Sequence, residues 1–93
     1  MRERTIEQKL VKAVKTAGGL ALKFMSPSFA GVPDRLLLLP GGKIAFAEVK
    51  RQGEKPRPLQ ICRHEGLRRL GFMVFVVDDE AQIGGIIREI QSA

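Results

Sequence analysis

The stretch from Gly31 to Lys50, GVPDRLLLLPGGKIAFAEVK, limits what this chain can fold into more than any other. Two apolar runs, Leu36 to Leu39 and Lys43 to Lys50, flank Pro40-Gly41-Gly42, the pattern of two strands joined by a tight turn. Strand side chains alternate between faces, so Ile44, Phe46, Glu48 and Lys50 share one face. The apolar end of that face belongs to a core, and its far end carries a carboxylate and an ammonium. If the turn has three residues centred on Gly41, Asp34 lies directly opposite Glu48 on the same side. A two-residue turn would break that register. Opposed side chains have Cβ atoms roughly 4.5–5.5 Å apart, and like charges there destabilise a sheet unless a cation lies between them. Two carboxylates with all-oxygen donors suit a hard cation such as Mg²⁺, which keeps several waters and takes further ligands from phosphate. Lys50, on the face of Glu48, is placed to hold a water or to neutralise charge developing on phosphorus. The competing reading of the same spacing is an Asp–Lys–Glu salt-bridge cluster at a sheet edge.

The flanking sequence predicts an α/β domain. Thr5 to Ala17 spaces Ile6, Leu10, Val11, Ala13, Val14 and Ala17 as one helical stripe, with lysines 9, 12 and 15 opposite, and Gly18-Gly19 ends it. Leu20 to Met25 reads as a short strand. Ser26 to Pro33 reads as a loop, with Val32 held extended before Pro33. Pro58 suits the first turn of a helix running to Leu70. The run FMVFVV, Phe72 to Val77, reads as a strand covered on both faces. Asp78 or Asp79 then caps a last helix bearing Ile83, Ile86, Ile87 and Ile90 on one side, weakened by Gly84-Gly85. The order is α-β-β-β-α-β-α. The Glu48 strand, the 58–70 helix and the 72–77 strand form a crossover unit, right-handed if the strands are parallel.

Ninety-three residues make one small domain, 1–93. The stretches without charge fall short of the roughly 20 residues of a membrane helix, and the N-terminus has no apolar signal core. The chain therefore reads as soluble and intracellular, that is, cytoplasmic. One Cys and one His exclude an internal disulfide and argue against a Cys/His zinc site. A nucleophile triad lacks placed His and Asp partners. The net charge is +6, and the 50–69 segment holds seven basic residues against Glu54 and Glu65. Such a segment fits a polyanion, nucleic acid first, although a solvated helix face has the same composition. With five Phe and no Trp or Tyr, base stacking is not the obvious mode of recognition.

GVPD, thirteen residues, then EVK resembles the PD-(D/E)XK nuclease superfamily. A bare D…ExK pattern recurs by chance. GVPD and EVK around a PGG turn, with LKF before, RPLQ after and a GF-VFVV strand, carry a narrower likeness. The whole chain resembles a stand-alone VRR-NUC (virus-type replication-repair nuclease) domain. The resemblance implies a restriction-endonuclease-like core, a mixed sheet of about four strands with helices on both faces. It also implies metal-dependent hydrolysis of DNA phosphodiesters in branched substrates, four-way junctions or flaps, in replication, repair or recombination.

Carried onto this sequence, the resemblance makes Asp34 and Glu48 metal ligands, with the Val49 backbone carbonyl as a third, and Lys50 the catalytic lysine. Glu7 matches the first-helix acid that completes such sites. Beside Leu10, Val11 and Val14 it could face inward, it could equally be a solvated helix glutamate, and Glu3 one turn earlier competes. Gln60 matches a glutamine that bonds the lysine or a metal-bound water, or it is an ordinary polar residue of a first helical turn. The implied cofactor is Mg²⁺, or Mn²⁺ in its place. The candidate DNA contacts are Lys23, Arg35, Arg51, Lys55, Arg57, Arg63 and His64, with Ser26 and Ser28 in the loop before the motif. His64 reads as a surface or DNA-facing residue rather than a base. A junction-cutting enzyme with one site per chain is expected as a homodimer, and the isoleucine-rich last helix and FMVFVV supply apolar surface for its interface. The alternative is a non-catalytic DNA-binding or assembly module on a nuclease-like fold.

Overall fold

The computed structural model describes residues 1–93. The first helix, α1 (Glu3–Thr16), buries Ile6, Leu10 and Val14, one residue per turn along a single stripe. It starts two residues before the expected helix, with Glu3 in its first turn, where an acid favours the helix dipole. Three strands follow, β1 (Leu20–Lys23), β2 (Arg35–Leu39) and β3 (Lys43–Val49). Gly19 joins α1 to β1 where no side chain fits, since a Cβ there would lie 2.1 Å from the Leu38 carbonyl oxygen.

The β2–β3 hairpin turns through residues 40–42, with Gly41 and Gly42 at φ +85° and +73°, a region closed to most side chains. Arg35 pairs with Ala47, Leu37 with Ala45 and Leu39 with Lys43. This is the three-residue-turn register, and one more step along it brings Asp34 opposite Glu48. The second helix, α2 (Pro58–Arg69), then carries the chain to β4 (Met73–Val77), which pairs parallel to β3. A 3₁₀ turn (Glu80–Gln82), capped by the Asp79 carboxylate on the Ala81 amide at 2.9 Å, leads into α3 (Ile83–Gln91).

The sheet order is β1-β2-β3-β4, antiparallel except for the last pair. Each face has its own layer. On one, Ile6, Leu10 and Val14 of α1 and Ile83, Ile86 and Ile90 of α3 pack on Leu37, Leu39, Ala45, Ala47, Val49 and Val77. On the other, Phe46 meets Phe24 and Phe72 at centroid distances of 5.4 and 5.6 Å, and α2 lies beyond Glu48.

FMVFVV forms β4, an edge strand in that only β3 pairs with it, and both its faces are covered as expected: Val74 and Val77, on opposite faces, are buried and Met73, Phe75 and Val76 are half-buried. One expectation changes here. The isoleucines of α3 are not surplus surface, since Ile83, Ile86 and Ile90 complete the aliphatic core. The exposed apolar side chains lie elsewhere, at Met1, at Leu20 and Leu22 on β1, at Met25 and Phe29 in the 24–34 loop, at Leu59 and Ile61 on α2, and at Leu70, its C-cap.

Candidate active site

The last residues of β3 and the residue just before β2 meet at one end of the sheet. Asp34 sits where the loop enters β2, held at its backbone by the Phe24 amide, which donates to the Asp34 carbonyl at 2.8 Å. Its Oδ2 accepts the Val49 amide at 2.9 Å. That bond ties the Asp34 carboxylate to β3 beside Glu48. Glu48 is only 1% exposed. Its pKa is pushed up to about 8, first by burial and then by the Asp34 charge and a hydrogen bond to Asp34, with Lys50 acting in the opposite sense.

Lys50 follows Glu48 by two residues and is itself buried, with Nζ 3.6 Å from Glu48 Oε2. Its amide extends the ladder to the Val77 carbonyl at 2.9 Å, which fixes the side chain on the Glu48 face. Gln60 is buried in the first turn of α2 and uses both ends of its amide. Its Oε1 accepts the Arg57 amide at 2.8 Å, and its Nε2 donates to Glu48 Oε2 at 3.0 Å. The expected partners of Gln60 were Lys50 or a water; the partner is Glu48, and the residue caps its helix as well.

Asp34 has no ion-pair partner, and Lys50 is the one permanent cation within reach of Glu48. Two carboxylates therefore face a single ammonium, and the Val49 carbonyl is close by. The donors are all oxygen, and no three His, Cys, Asp or Glu side chains converge to enclose an ion. A hard divalent ion that takes two carboxylates, a carbonyl and otherwise water or phosphate fits this set; a fully protein-enclosed ion does not.

A cleft opens beside Asp34 and Val49, walled by Glu3, Glu7, Lys23, Phe24 and Met25. Both α1 acids thus reach the site's edge, but they are not equivalent. Glu7 is paired with Arg35, its Oε2 accepting from Nε at 3.0 Å. Glu3 is unpaired, and its pKa is raised by burial first and by the Asp34 charge second.

The chain shares 51% identity over 80 residues with a protein named "Putative nuclease p44" from Acyrthosiphon pisum secondary endosymbiont phage 1, covering 86% of each chain. Its fold superposes with a TM-score of 0.87 on a solved structure titled VRR_NUC domain, at 33% identity over 95% of this chain and 97% of that one. The chain belongs to the VRR-NUC family. No family model matches it. The mixed four-stranded sheet with its flanking helices, in the order α-β-β-β-α-β-α, is the VRR-NUC nuclease fold.

Within this VRR-NUC domain, the expected DNA contacts divide. Lys23, Arg51, Lys55 and Arg57 are exposed, and Lys23 borders the cleft. Arg35 is spent internally, on Glu7 and on the Ala21 carbonyl at 3.0 Å. Arg63 donates to the Ala30 carbonyl at 2.8 Å and stacks on Phe29 at 3.7 Å, bracing the loop before Asp34. His64 is a correction. It is 2% exposed, under the sheet rather than on the surface, with Nε2 3.6 Å from Glu48 Oε1. The signal was present in the spacing: residues four apart share a helix face, so a Gln60 turned to the site carries His64 with it. No helix is long and apolar enough to cross a membrane.

Proposed function

We propose that this VRR-NUC domain is a divalent-metal-dependent DNA endonuclease that cuts phosphodiesters in branched DNA, junctions or flaps. The observation that carries the reading is the placement of Asp34 against Glu48 at the end of the hairpin, with buried Lys50 beside them. A bound Mg²⁺ or Mn²⁺ would supply Lewis-acid polarisation of the phosphoryl oxygen and a more acidic water.

The chain's own groups do the rest. Asp34, Glu48 and the Val49 carbonyl would hold the ion. Lys50, close to Glu48 and little exposed, meets charge developing on the phosphate in a site where solvent screens it weakly. Gln60 keeps the Glu48 carboxylate turned in one direction. Of the two first-helix acids, Glu3 rather than Glu7 is free to take part, because Arg35 already neutralises Glu7.

Lys23, Arg51, Lys55 and Arg57 grip the backbone, which gives affinity and position without reading bases. Three of the five phenylalanines pack on each other, which leaves little aromatic surface for stacking and favours recognition of DNA shape. Paired incision across a junction calls for two sites, and a twofold homodimer is the simplest way to supply them.

The test is purified protein with Mg²⁺ or Mn²⁺ on duplex, flap, fork and four-way-junction DNA. Cutting of the branched substrates with either metal, and none in EDTA, is the expected result. Salt-sensitive binding with no cutting under any divalent ion would make the chain a non-catalytic DNA-binding module.

A further inference from the structure

The two atoms that the site leaves unmatched face each other. Glu48 Oε1 and His64 Nε2 are both buried, and both lack a hydrogen-bond partner. They stand 3.6 Å apart, a few tenths of an ångström beyond an ordinary N–H···O bond. Buried polar atoms almost always find partners. The other carboxylate oxygen, Oε2, already accepts from Gln60.

Gln60 and His64 lie one turn apart on the same face of α2 and are the two buried side chains of that helix. An inward helix face is ordinarily apolar. This one presents an amide and an imidazole, and both point at one glutamate. Arg68, one turn further along the same face, donates to the Val74 carbonyl at 2.7 Å instead, while Arg69 is exposed and Arg63 is directed to the Ala30 carbonyl.

We infer that His64 is a positioning residue, whose Nε2–H donates to Glu48 Oε1 so that α2 grips both oxygens of the carboxylate in a two-pronged fork. One prong alone leaves the carboxylate free to turn about its last torsion. Two prongs fix its plane, and with it the direction of the lone pairs left for a cation shared with Asp34. The inference rests on the reading of Asp34 and Glu48 as a divalent-ion site. It requires His64 to be the Nε2–H tautomer, neutral and acting through Glu48 rather than on DNA.

Two measurements test it. In Mg²⁺-saturated wild-type protein, long-range ¹H–¹⁵N correlation spectra read the imidazole tautomer directly. Nε2–H is expected, and Nδ1–H overturns the inference whatever any variant does. Mn²⁺ titration of DNA-free protein, followed by electron paramagnetic resonance, reads the ion site without cleavage. His64→Leu, which keeps the volume and removes the donor, should weaken Mn²⁺ by about 10–100-fold with DNA affinity unchanged. His64→Gln, which restores an N–H donor, should recover part of the loss. Wild-type Mn²⁺ affinity in folded His64→Leu overturns the inference, and if that variant does not fold the tautomer decides. The broader reading fails separately. Mn²⁺ binding that depends on His64, in a protein that cuts no DNA, upholds the fork and removes the nuclease. DNA cutting with His64→Leu indistinguishable in Mn²⁺ affinity does the reverse.

Discussion

The Asp34 carboxylate accepts the backbone amide of Val49 at 2.9 Å, and so a side chain from the mouth of β2 is fastened to the end of β3. The bond has two effects. It continues the hairpin register past the last paired residues, and it holds one negative charge against the buried Glu48. The geometry proposed to bind an ion is thereby assembled at the expense of stability in the ion-free protein.

Asp34→Asn separates the two effects, because the amide oxygen can still accept from Val49 while the charge is gone. Cleavage should fall on the order of 10³-fold or more, the several kcal/mol that a Lewis acid supplies. The ion-free protein should gain up to about 1 kcal/mol from relieved repulsion, at about 4–8 °C in Tm per kcal/mol for a domain of this size. Thermal denaturation in EDTA and a single-turnover cleavage assay check both. An unchanged cleavage rate removes Asp34 from the site.

Glu48 determines a pH dependence with a definite sign. Its folded pKa, about 8, lies above the ordinary carboxylate value of 4.5, so the folded state binds the proton more tightly than the unfolded chain. That contribution to stability is fully present below pH 4.5 and is lost as the pH rises through about 8. Relative to Glu48→Gln, ion-free wild type should therefore lose stability across this window, as read from urea midpoints at stepped pH. Mg²⁺ competes with the same proton, and its affinity should rise over the same range. A flat difference between the two proteins would contradict the placement of Glu48.

Lys50→Ala should lower the single-turnover rate by about 10²–10³-fold, as for loss of one donor to a developing oxyanion, with DNA affinity little changed. Gln60→Ala should cost about 10–100-fold. It should also cost roughly 1 kcal/mol of stability, since its Oε1 serves the Arg57 amide at the start of α2. Equal rates for Gln60→Ala and wild type would leave this glutamine with its capping role alone.

The two α1 acids should separate in the same assay. Glu3→Gln removes an unpaired acid that senses Asp34, whereas Glu7→Gln breaks a partly exposed ion pair with Arg35. A larger fall in rate is expected for Glu3→Gln, and a larger fall in Tm for Glu7→Gln. The opposite order would return Glu7 to the ligand set.

Light scattering at micromolar concentration should give about twice the chain mass of 10.3 kDa. Because α3 is committed to the core, the apolar surface left for contact includes β1, where Leu20 and Leu22 are exposed on an edge strand, the 24–34 loop with Met25 and Phe29, and α2. A mass near that of one chain would sink the dimer while leaving single-strand cleavage of flaps intact.

Periodicity and turn chemistry made the hairpin legible in the sequence alone. Pro40-Gly41-Gly42 marks the turn but leaves its length at two or three residues; the observed pairing of Arg35 with Ala47 selects the three-residue register, which places Asp34, Glu48 and Lys50 together. These are local constraints, set by residues close along the chain. The helical stripe of Ile6, Leu10 and Val14 is local in the same sense, and so is the shared face of Gln60 and His64. What tertiary structure alone decided depends on which elements become neighbours. FMVFVV reads correctly as a strand covered on both faces, but edge and centre differ only in what pairs beside them, and nothing in its own residues records that β4 has one partner. Arg35 and Arg63 also have internal partners that the sequence does not show, because a basic side chain carries no mark of its destination; these are Glu7 and the Ala30 carbonyl, each 28 or more residues away. His64 went under the sheet because α2 docks beside Glu48, and a buried carboxylate offers an imidazole the partner that solvent would otherwise supply.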